Sequence, residues 1–371
     1  MLTSNEAGAL EASRDLVATA TQLTKLSKRF GQAESAWAFG QWELRKRARQ
    51  KFALADKMLF VREALEQASN EVVADYHASL FESGERVLDA TAGIGGDLIS
   101  LARRGLAVGC EIDPIRAGYA AHNLSVHRLE ADVRVTSGLT FQGPYSGAFA
   151  DPSRRVAGRR VEGMESYAPD PIALAAKFKA LPRAVMKLSP MLSDEVLNEF
   201  GVGIQFVEFK GECREALLVF HEPAGVWAIQ VETRERLAPL ELTKTQAGPD
   251  QLLAEASPAA VRAHCLGQFG LAGLGDSNGY LTGDMIEANP WLTIYPVLWE
   301  GRPTEVAKQL KVLGASTPEI KQRGAGQDLV QLRKKWRSEG NRPVCVALYA
   351  VGKSLHAVIT GPPLTSKSLA P

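Results

Sequence analysis

The sequence has little of what a secreted, metal-binding or membrane protein needs. Its 371 residues include four cysteines, Cys110, Cys213, Cys265 and Cys345, and no two of them form a C-x-x-C pair. This scatter argues against a zinc site and a disulfide framework. No apolar run is long enough to span a membrane, and residues 1–10 lack the basic and apolar segments of an export signal. We therefore expect a cytoplasmic protein that binds neither metal nor membrane.

The number of histidines and the net charge are also low. The six histidines show no metal-ligand spacing, and the formal net charge is only +1. An argument for nucleic acid must therefore rest on local groups of basic residues. Such groups lie in 25–62, in 321–342 and at Arg154, Arg155, Arg159 and Arg160. They would suit a polyanion, although solvated helix surfaces carry such residues too.

The strongest signal is an apolar strand that leads into a glycine turn. Residues 87–97 read VLDATAGIGGD, and a second strand ends in the sequence CEIDP over 110–114. A dinucleotide fingerprint needs G-x-G-x-x-G, and the third glycine is missing here. The loop instead carries two acids, Asp89 and Asp97, where a pyrophosphate favours positive potential. S-adenosylmethionine, whose sulfonium and ammonium groups are cationic, fits this loop better.

The predicted cofactor-binding residues follow from these two segments. Glu111 comes eighteen positions after Gly93 at a strand end, where its carboxylate can accept hydrogen bonds from both ribose hydroxyls. Asp113 is expected to be the N-cap of the next helix and Pro114 its first residue. The whole predicted set is Asp89, Ala90, Gly93, Gly95, Gly96, Asp97, Glu111, Ile112 and Asp113. The alternative is a tight turn with Glu111 as a solvated strand end.

A second informative segment follows the short apolar strand 148–150. It reads DPSRR over 151–155, and residues just past a strand end face the ligand crevice of a doubly wound sheet. We predict Asp151, Pro152 and Arg154 as catalytic residues, because Asp151 would point at the methyl donor. Arg154, Arg155 and Lys187 are predicted to bind substrate, since a guanidinium can stack on a base or hold a phosphate. An ordinary Asp-Pro turn is the alternative.

Together these motifs resemble the class I S-adenosylmethionine-dependent methyltransferases. Within that class the chain is similar to the bacterial branch with a C-terminal THUMP-like domain. It is distantly similar to the RNA cap guanine-N2 methyltransferases of the trimethylguanosine synthase type. Besides the segments above, the resemblance rests on Gly211–Ala216, Tyr280–Asp284 and Ile320–Gly324.

Two positions depart from the pattern that this resemblance implies. Many amino-group methyltransferases have D/N-P-P followed by an aromatic residue, whereas this chain keeps only Asp151 and Pro152. Ser153 occupies the position of the second proline, and Arg154 occupies that of the aromatic residue. Related enzymes also often place an acid after the fourth strand; here Ser137-Gly138 follows the strand at 133–135, so no adenine-contacting acid is predicted.

The expected fold is α/β, with a Rossmann-like, mostly parallel sheet of seven strands, a helical N-terminal domain and a small α+β THUMP-like C-terminal domain. The predicted division is 1–83 helical, 84–230 methyltransferase, 231–257 linker and 258–371 THUMP-like. Candidate strands lie at 86–89, 107–110, 133–136, 148–150, 184–188, 204–209 and 216–220, with helices at 98–104 and 116–126. Gly31 and residues 39–40 are predicted to interrupt the N-terminal helices, and a last strand pair is expected around Gly352.

The functional hypothesis is methyl transfer from S-adenosylmethionine to tRNA or rRNA, with a base nitrogen as the acceptor. Two alternatives remain open, a catalytically weak RNA-binding or assembly protein on the same fold and a small-molecule methyltransferase. A nicotinamide enzyme is the least favoured. The sequence leaves the acceptor atom, the RNA class and the oligomeric state open.

Overall fold

A computed structural model of the chain describes residues 2–153, 155–156, 159–160 and 164–364. It divides into two compact units, Met1–Gly203 with Leu217–Ala224, and Ile204–Ala216 with Gly225–Pro371. This division places the N-terminal helices and the glycine turn in one unit. The four-part division at residues 83, 230 and 257 stays a prediction.

The first unit begins with five helices. They are α1 Ser4–Ala12, α2 Ala20–Phe30, α3 Gln32–Ala48, α4 Arg62–Gln67 and α5 Glu71–Ser79. Gly31, with φ of 99°, separates α2 from α3 as predicted. The predicted interruption at 39–40 is wrong, because α3 continues through Gly40. Gln41 exchanges hydrogen bonds with the backbone of Phe60, and Arg45 donates to the Met58 carbonyl. These contacts offset the cost of about 1 kcal/mol of one helical glycine.

Alternating strands and helices follow in the same unit. They are β1 Arg86–Asp89, α6 Gly96–Arg104, β2 Leu106–Glu111, α7 Pro114–Val126, β3 Asp132–Val135, β4 Gly147–Ala150, β5 Arg155–Val156, β6 Arg159–Arg160, α8 Pro171–Phe178, β7 Arg183–Leu188 and α9 Asp194–Asn198. The two predicted helices are confirmed as α6 and α7. The side chain of Asp113 accepts from the amides of Ile115 and Arg116, which confirms the predicted N-cap ahead of Pro114.

A parallel sheet in this unit positions the site. Its strand order is β3-β2-β1-β4-β7, and every neighbouring pair is parallel. The chain reverses its direction of winding between β1 and β4. In an open α/β sheet, ligands bind outside the carboxyl ends of the strands at such a switch point. The residues after Asp89 and after Ala150 therefore border the same crevice.

Most of the remaining strands lie in the second unit, apart from Gly203 of β8 and residues 217–219 of β9, which belong to the first. They are β8 Gly203–Phe209, β9 Glu212–Val219, β10 Gly225–Gln230, β11 Arg236–Leu237, β12 Thr245–Gln246, β13 Leu252–Ala256, β14 Ala272–Leu274, β15 Tyr280–Gly283, β16 Leu292–Gly301, β17 Glu319–Gln322, β18 Cys345–Val351 and β19 Ser354–Thr360. Its helices are α10 Pro258–Arg262, α11 Val306–Val312 and α12 Leu329–Lys335. The strands from β12 onward form a mixed sheet of order β12-β14-β15-β13-β16-β19-β18-β17. The predicted last strand pair is confirmed as β18 and β19, which pair antiparallel around Gly352.

The predicted number of seven strands for the sheet that contains β1 is wrong, since nine of its strands lie in the described parts of the chain. All seven predicted strands occur. The two additional ones are β10 and β11. β10 has apolar residues at consecutive positions and only its last three residues are buried, so it lacks the alternation that marks a half-buried strand. β11 has two residues, too few to show a pattern.

Among the helices of the described ranges, none combines the length and the apolar character that a membrane span needs.

Candidate active site

The loop after β1 takes the shape of a tight glycine turn at the start of α6. Gly93 and Gly95 have φ of 55° and 90°, conformations that residues with a Cβ rarely adopt. The Ala92 amide donates to the Cys110 carbonyl and the Gly95 amide to the Ala92 carbonyl. A Cβ on Gly95 would lie 3.3 Å from the Ala120 Cα, so the glycine also lets α7 approach. Ala90 is buried, and its amide donates to the Phe149 carbonyl.

Asp89 ends β1 inside a group of acids. Only 1% of its surface is exposed, and its Oδ1 accepts a hydrogen bond from the Thr91 amide over 3.1 Å. Burial raises the pKa of Asp89 well above its usual range, and the charges of Asp97, Asp151 and Glu111 raise it further. A positive group beside these carboxyls would favour the ionised form of Asp89. The electrostatics of the loop therefore suit a cationic ligand.

The carboxylate of Asp97, at the start of α6, faces the N-terminal helices. Its Oδ1 lies 2.7 Å from Nδ1 of His77, and the Ser69 hydroxyl donates to its Oδ2 over 3.2 Å. Burial raises the pKa of Asp97, but the charge and hydrogen bond of His77, together with the charge of Lys187 and the hydrogen bond from Ser69, outweigh this and lower the pKa overall. His77 is fully buried and stacks on Phe149 at 5.1 Å between ring centroids. Asp97 thus connects the glycine turn to α5 and to β4.

Asp151 follows β4 and lies across the crevice from the glycine turn. Its amide donates to the Thr91 hydroxyl over 2.6 Å, which joins the ends of β4 and β1. Lys187, on β7, donates to Asp151 Oδ2 over 2.8 Å and to the Ser69 hydroxyl over 3.3 Å. The side chains of Lys187 and Asp151 are 15% and 27% exposed. Two residues predicted for catalysis and substrate binding are therefore an ion pair with each other.

The end of β2 carries the predicted ribose-binding carboxylate. Glu111 is buried, and its Oε1 accepts a hydrogen bond from the Asp113 amide over 2.8 Å. Ile112, next to it, is 73% exposed, an unusual exposure for an isoleucine at a strand end. Together these residues place a carboxylate and an apolar side chain next to the glycine turn.

The loop after β3 shows why glycine follows Ser137. A Cβ on Gly138 would lie 2.3 Å from the Ala90 carbonyl oxygen, so a side chain cannot fit there. Lys177, from α8, donates to the carbonyls of Gly138, Leu139 and Phe141. These contacts hold the loop against the end of β1. Sequence reasoning did not identify Lys177, because lysine on a short helix carries no pattern of its own.

Three further residues of the crevice were not predicted, namely Ser69, His77 and Thr91. Ser69 and His77 come from the helices before β1, and nothing in their local sequence distinguishes them from capping or core residues. Thr91 lies in the glycine turn and could have been identified as a hydroxyl near the ligand. Pro152 is buried beside Asp151, and the Ser153 hydroxyl accepts a hydrogen bond from Gln67. Arg154 and the Arg155 side chain lie outside the described residues.

The chain is similar to an uncharacterized S-adenosylmethionine-dependent methyltransferase of Mycobacterium tuberculosis, found in strains CDC 1551 / Oshkosh and ATCC 25618 / H37Rv. The two sequences are 29% identical over 316 residues, which is 81% of this chain and 87% of the relative. No protein-family model matches the chain.

A solved structure is similar over nearly the whole chain. It is the crystal structure of a protein from Porphyromonas gingivalis W83 with a provisional methyltransferase assignment. It is 20% identical, and the match covers 98% of this chain and 100% of the other at a TM-score of 0.79. This similarity shows the fold, the α/β fold of the class I methyltransferases.

The comparisons confirm the predicted enzyme class and methyl donor, since the relatives by sequence are S-adenosylmethionine-dependent methyltransferases by name. They do not identify the methyl acceptor.

Proposed function

We propose that this protein transfers a methyl group from S-adenosylmethionine to an amine of an RNA base, in tRNA or rRNA. The observation that supports this most directly is the position of Asp151. It follows β4 at the switch point of the parallel sheet, and the Thr91 hydroxyl of the donor loop accepts from its amide over 2.6 Å. A donor loop and a polar acceptor site thus border one crevice.

The side chains around the crevice fit the donor by their chemistry. Asp89, with its raised pKa, provides a carboxyl that a cationic group would ionise. Glu111 provides a carboxylate for the ribose hydroxyls, and Ile112 an apolar surface beside it. When bound, S-adenosylmethionine supplies a methyl group on a positively charged sulfur.

The acceptor side of the crevice is set by Asp151. Its carboxylate would accept a hydrogen bond from the acceptor amine and thereby orient the nitrogen toward the donor. Fixing the direction of attack in this way removes much of the entropic barrier of a transfer reaction. The buried Pro152 holds the backbone that follows Asp151, and Arg154 and Arg155 are proposed to contact the base or a phosphate.

The basic groups support an RNA substrate unequally. In the N-terminal group, Arg45 and Lys51 donate to backbone carbonyls. Arg47, Arg49 and Arg62 form ion pairs with acids. Lysines such as Lys25 and Lys46 of this group are exposed as well. In the second unit, Arg333, Lys334 and Lys335 on α12 are all exposed, as is Arg337 just after it. We propose that α12 contacts RNA phosphates and that residues 258–371 form the predicted THUMP-like domain.

The direct test is methyl incorporation into RNA from a strain that lacks the protein. With labelled S-adenosylmethionine, the wild-type protein should label one tRNA or rRNA fraction, and mass spectrometry of nucleosides should identify the base. Asp151→Ala should lower the rate about 100-fold or more, as expected for loss of a group that orients the nucleophile. No incorporation into any fraction would contradict the RNA substrate.

One observation favours a second candidate, an RNA-binding protein with little turnover. Ser153 and Arg154 stand where many amino-group methyltransferases have proline and an aromatic residue. Donor binding by calorimetry together with RNA binding, but without transfer, would support this candidate. Transfer to a small molecule, with no effect of RNA, would instead support a small-molecule methyltransferase.

We also propose a cytoplasmic location, which the four free cysteines suit.

A further inference from the structure

We propose that Lys187 is a positioning residue of this site, which holds the Asp151 carboxylate in place and connects it through Ser69 and Asp97 to the donor loop. The inference rests on the proposed function, because it concerns the acceptor side of the same crevice. It adds to that function Lys187 from β7 and Ser69 from the segment before β1.

The geometry forms a continuous chain of contacts. Lys187 Nζ donates to Asp151 Oδ2 over 2.8 Å and to the Ser69 hydroxyl over 3.3 Å. The same hydroxyl donates to Asp97 Oδ2 over 3.2 Å, and Asp97 Oδ1 lies 2.7 Å from His77 Nδ1. Ser69 thus uses one donor and one acceptor, as a hydroxyl can. The acceptor site and the first turn of α6 are connected by side chains alone.

The acidic side chains around this series of contacts make the positive charge of Lys187 important. Asp89 is affected by the charges of Asp97, Asp151 and Glu111, so four acidic side chains border the crevice. Lys187 faces Asp151 directly and also lowers the pKa of Asp97, which His77 contacts from α5. Because the Lys187 side chain is only 15% exposed, solvent screens its charge weakly. Removing it would take away the ammonium group that lies 2.8 Å from Asp151 Oδ2.

This arrangement predicts what Lys187 does during methyl transfer. An ionised Asp151 can accept a hydrogen bond from an amine, whereas a protonated one would offer a donor instead. A cation at 2.8 Å favours the ionised form and fixes the direction of one carboxylate oxygen. The contact through Ser69 also couples the orientation of Asp151 to the donor loop.

The test compares Lys187→Met with Lys187→Arg and with a matched control, Lys179→Met, whose lysine is exposed. For Lys187→Met, kcat should fall at least about tenfold while the donor KM changes less. Its acid limb in the pH–rate profile should move to higher pH, because the Asp151 carboxyl loses the cation at 2.8 Å that favours its ionised form. Lys187→Arg should keep most of the wild-type profile, and Lys179→Met all of it.

A binding measurement extends the test beyond turnover. S-adenosylmethionine is cationic at sulfur and S-adenosylhomocysteine is not. Removing a nearby positive charge should therefore strengthen the binding of S-adenosylmethionine relative to that of S-adenosylhomocysteine. Calorimetry should therefore show the ratio of the two affinities rising at least about twofold in Lys187→Met. A merely structural role would change both affinities alike.

The outcomes distinguish this inference from the proposed function. If Lys187→Met keeps the wild-type pH profile and affinity ratio, the positioning role is overturned and the proposed function stands. If the wild-type protein binds the donor but methylates no RNA, the RNA substrate is wrong and the affinity ratio decides the role of Lys187. If the wild-type protein binds no donor, both proposals fail.

Discussion

At the scale of single residues, Asp89 should couple donor binding to pH. Its pKa is raised in the free protein by burial and by neighbouring acids, so Asp89 stays protonated to a higher pH than usual. A cationic donor favours the ionised form and should release this proton on binding. Affinity should then rise with pH until the pKa of the free protein is passed, and level off above it.

Calorimetry in buffers of different ionisation enthalpy measures this proton release. Asp89→Asn should abolish the dependence on buffer, because the amide does not titrate. S-adenosylhomocysteine, which lacks the sulfonium charge, should release fewer protons in the wild-type protein. Equal release for both ligands would contradict a role for the sulfonium.

Gly138 gives a second prediction at this scale. Its Cβ position lies 2.3 Å from the Ala90 carbonyl oxygen and 2.4 Å from the Ala90 Cα, both backbone atoms. Gly138→Ala should therefore push the loop after β3 away from the donor loop. We expect a loss of about 1 to 3 kcal/mol in the free energy of unfolding, together with weaker donor binding.

Gly118 provides the matched control. It lies exposed inside α7, and nothing lies within 4 Å of its Cβ position. Gly118→Ala should stabilise the protein by up to about 1 kcal/mol, because alanine favours the helix. Denaturant unfolding of both variants measures the difference; similar losses for both would show that the contact with Ala90 is unimportant.

At the scale of elements, the second unit brings together segments that are far apart in the chain. Glu255 on β13 accepts from Lys321 at 2.7 Å and from Arg323 at 3.2 Å, and Lys321 also donates to the Tyr295 hydroxyl. Burial lowers the pKa of Lys321, but Glu255 and Tyr295 outweigh burial and raise it. The Ile320–Gly324 segment that supported the family resemblance thus connects β17 with β13 and β16.

Glu255→Gln should weaken this connection. The change removes the carboxylate that Lys321 and Arg323 share, in a region where the three charged side chains are 16–26% exposed. We expect a loss of about 1 to 3 kcal/mol in the free energy of unfolding. Glu319→Gln is the control, since Glu319 is 71% exposed and lies 3.9 Å from Lys321. Thermal unfolding of the two variants should give clearly different midpoints.

At the scale of the whole molecule, the proposed RNA substrate predicts that the affinity for RNA falls with salt concentration. The basic residues of α12 should account for part of this dependence. Arg333→Glu, Lys334→Glu and Lys335→Glu together should weaken RNA binding at least about tenfold and reduce the slope of affinity against salt by about two to three. The control is the double variant Lys308→Glu and Lys311→Glu, because both lysines are exposed on α11. It tests whether any change of surface charge weakens RNA binding. Filter binding across salt concentrations measures both. Equal losses would point to non-specific attraction.

The contiguous parts of the site follow from the amino-acid sequence alone. The glycine turn at 93–96, the strand end at Glu111 and the cap at Asp113 are local, because backbone conformation and neighbouring residues fix them. The α/β alternation also follows from short apolar strands and amphipathic helices along the chain. These features were enough to predict the enzyme class and the donor.

The set of side chains that share the crevice, by contrast, depends on the folded chain. Ser69 and Lys187 are 118 positions apart in the chain, yet their side chains lie 3.3 Å from each other. Asp97 was predicted to bind the donor, and its carboxylate contacts His77 and Ser69. Lys187 was predicted to bind the substrate, and its ammonium group contacts Asp151. No local pattern specifies such pairs, because they depend on how the N-terminal helices pack against the ends of β1, β4 and β7. The sequence indicates a donor loop; packing brings the acids and the lysine of the acceptor side together beside it.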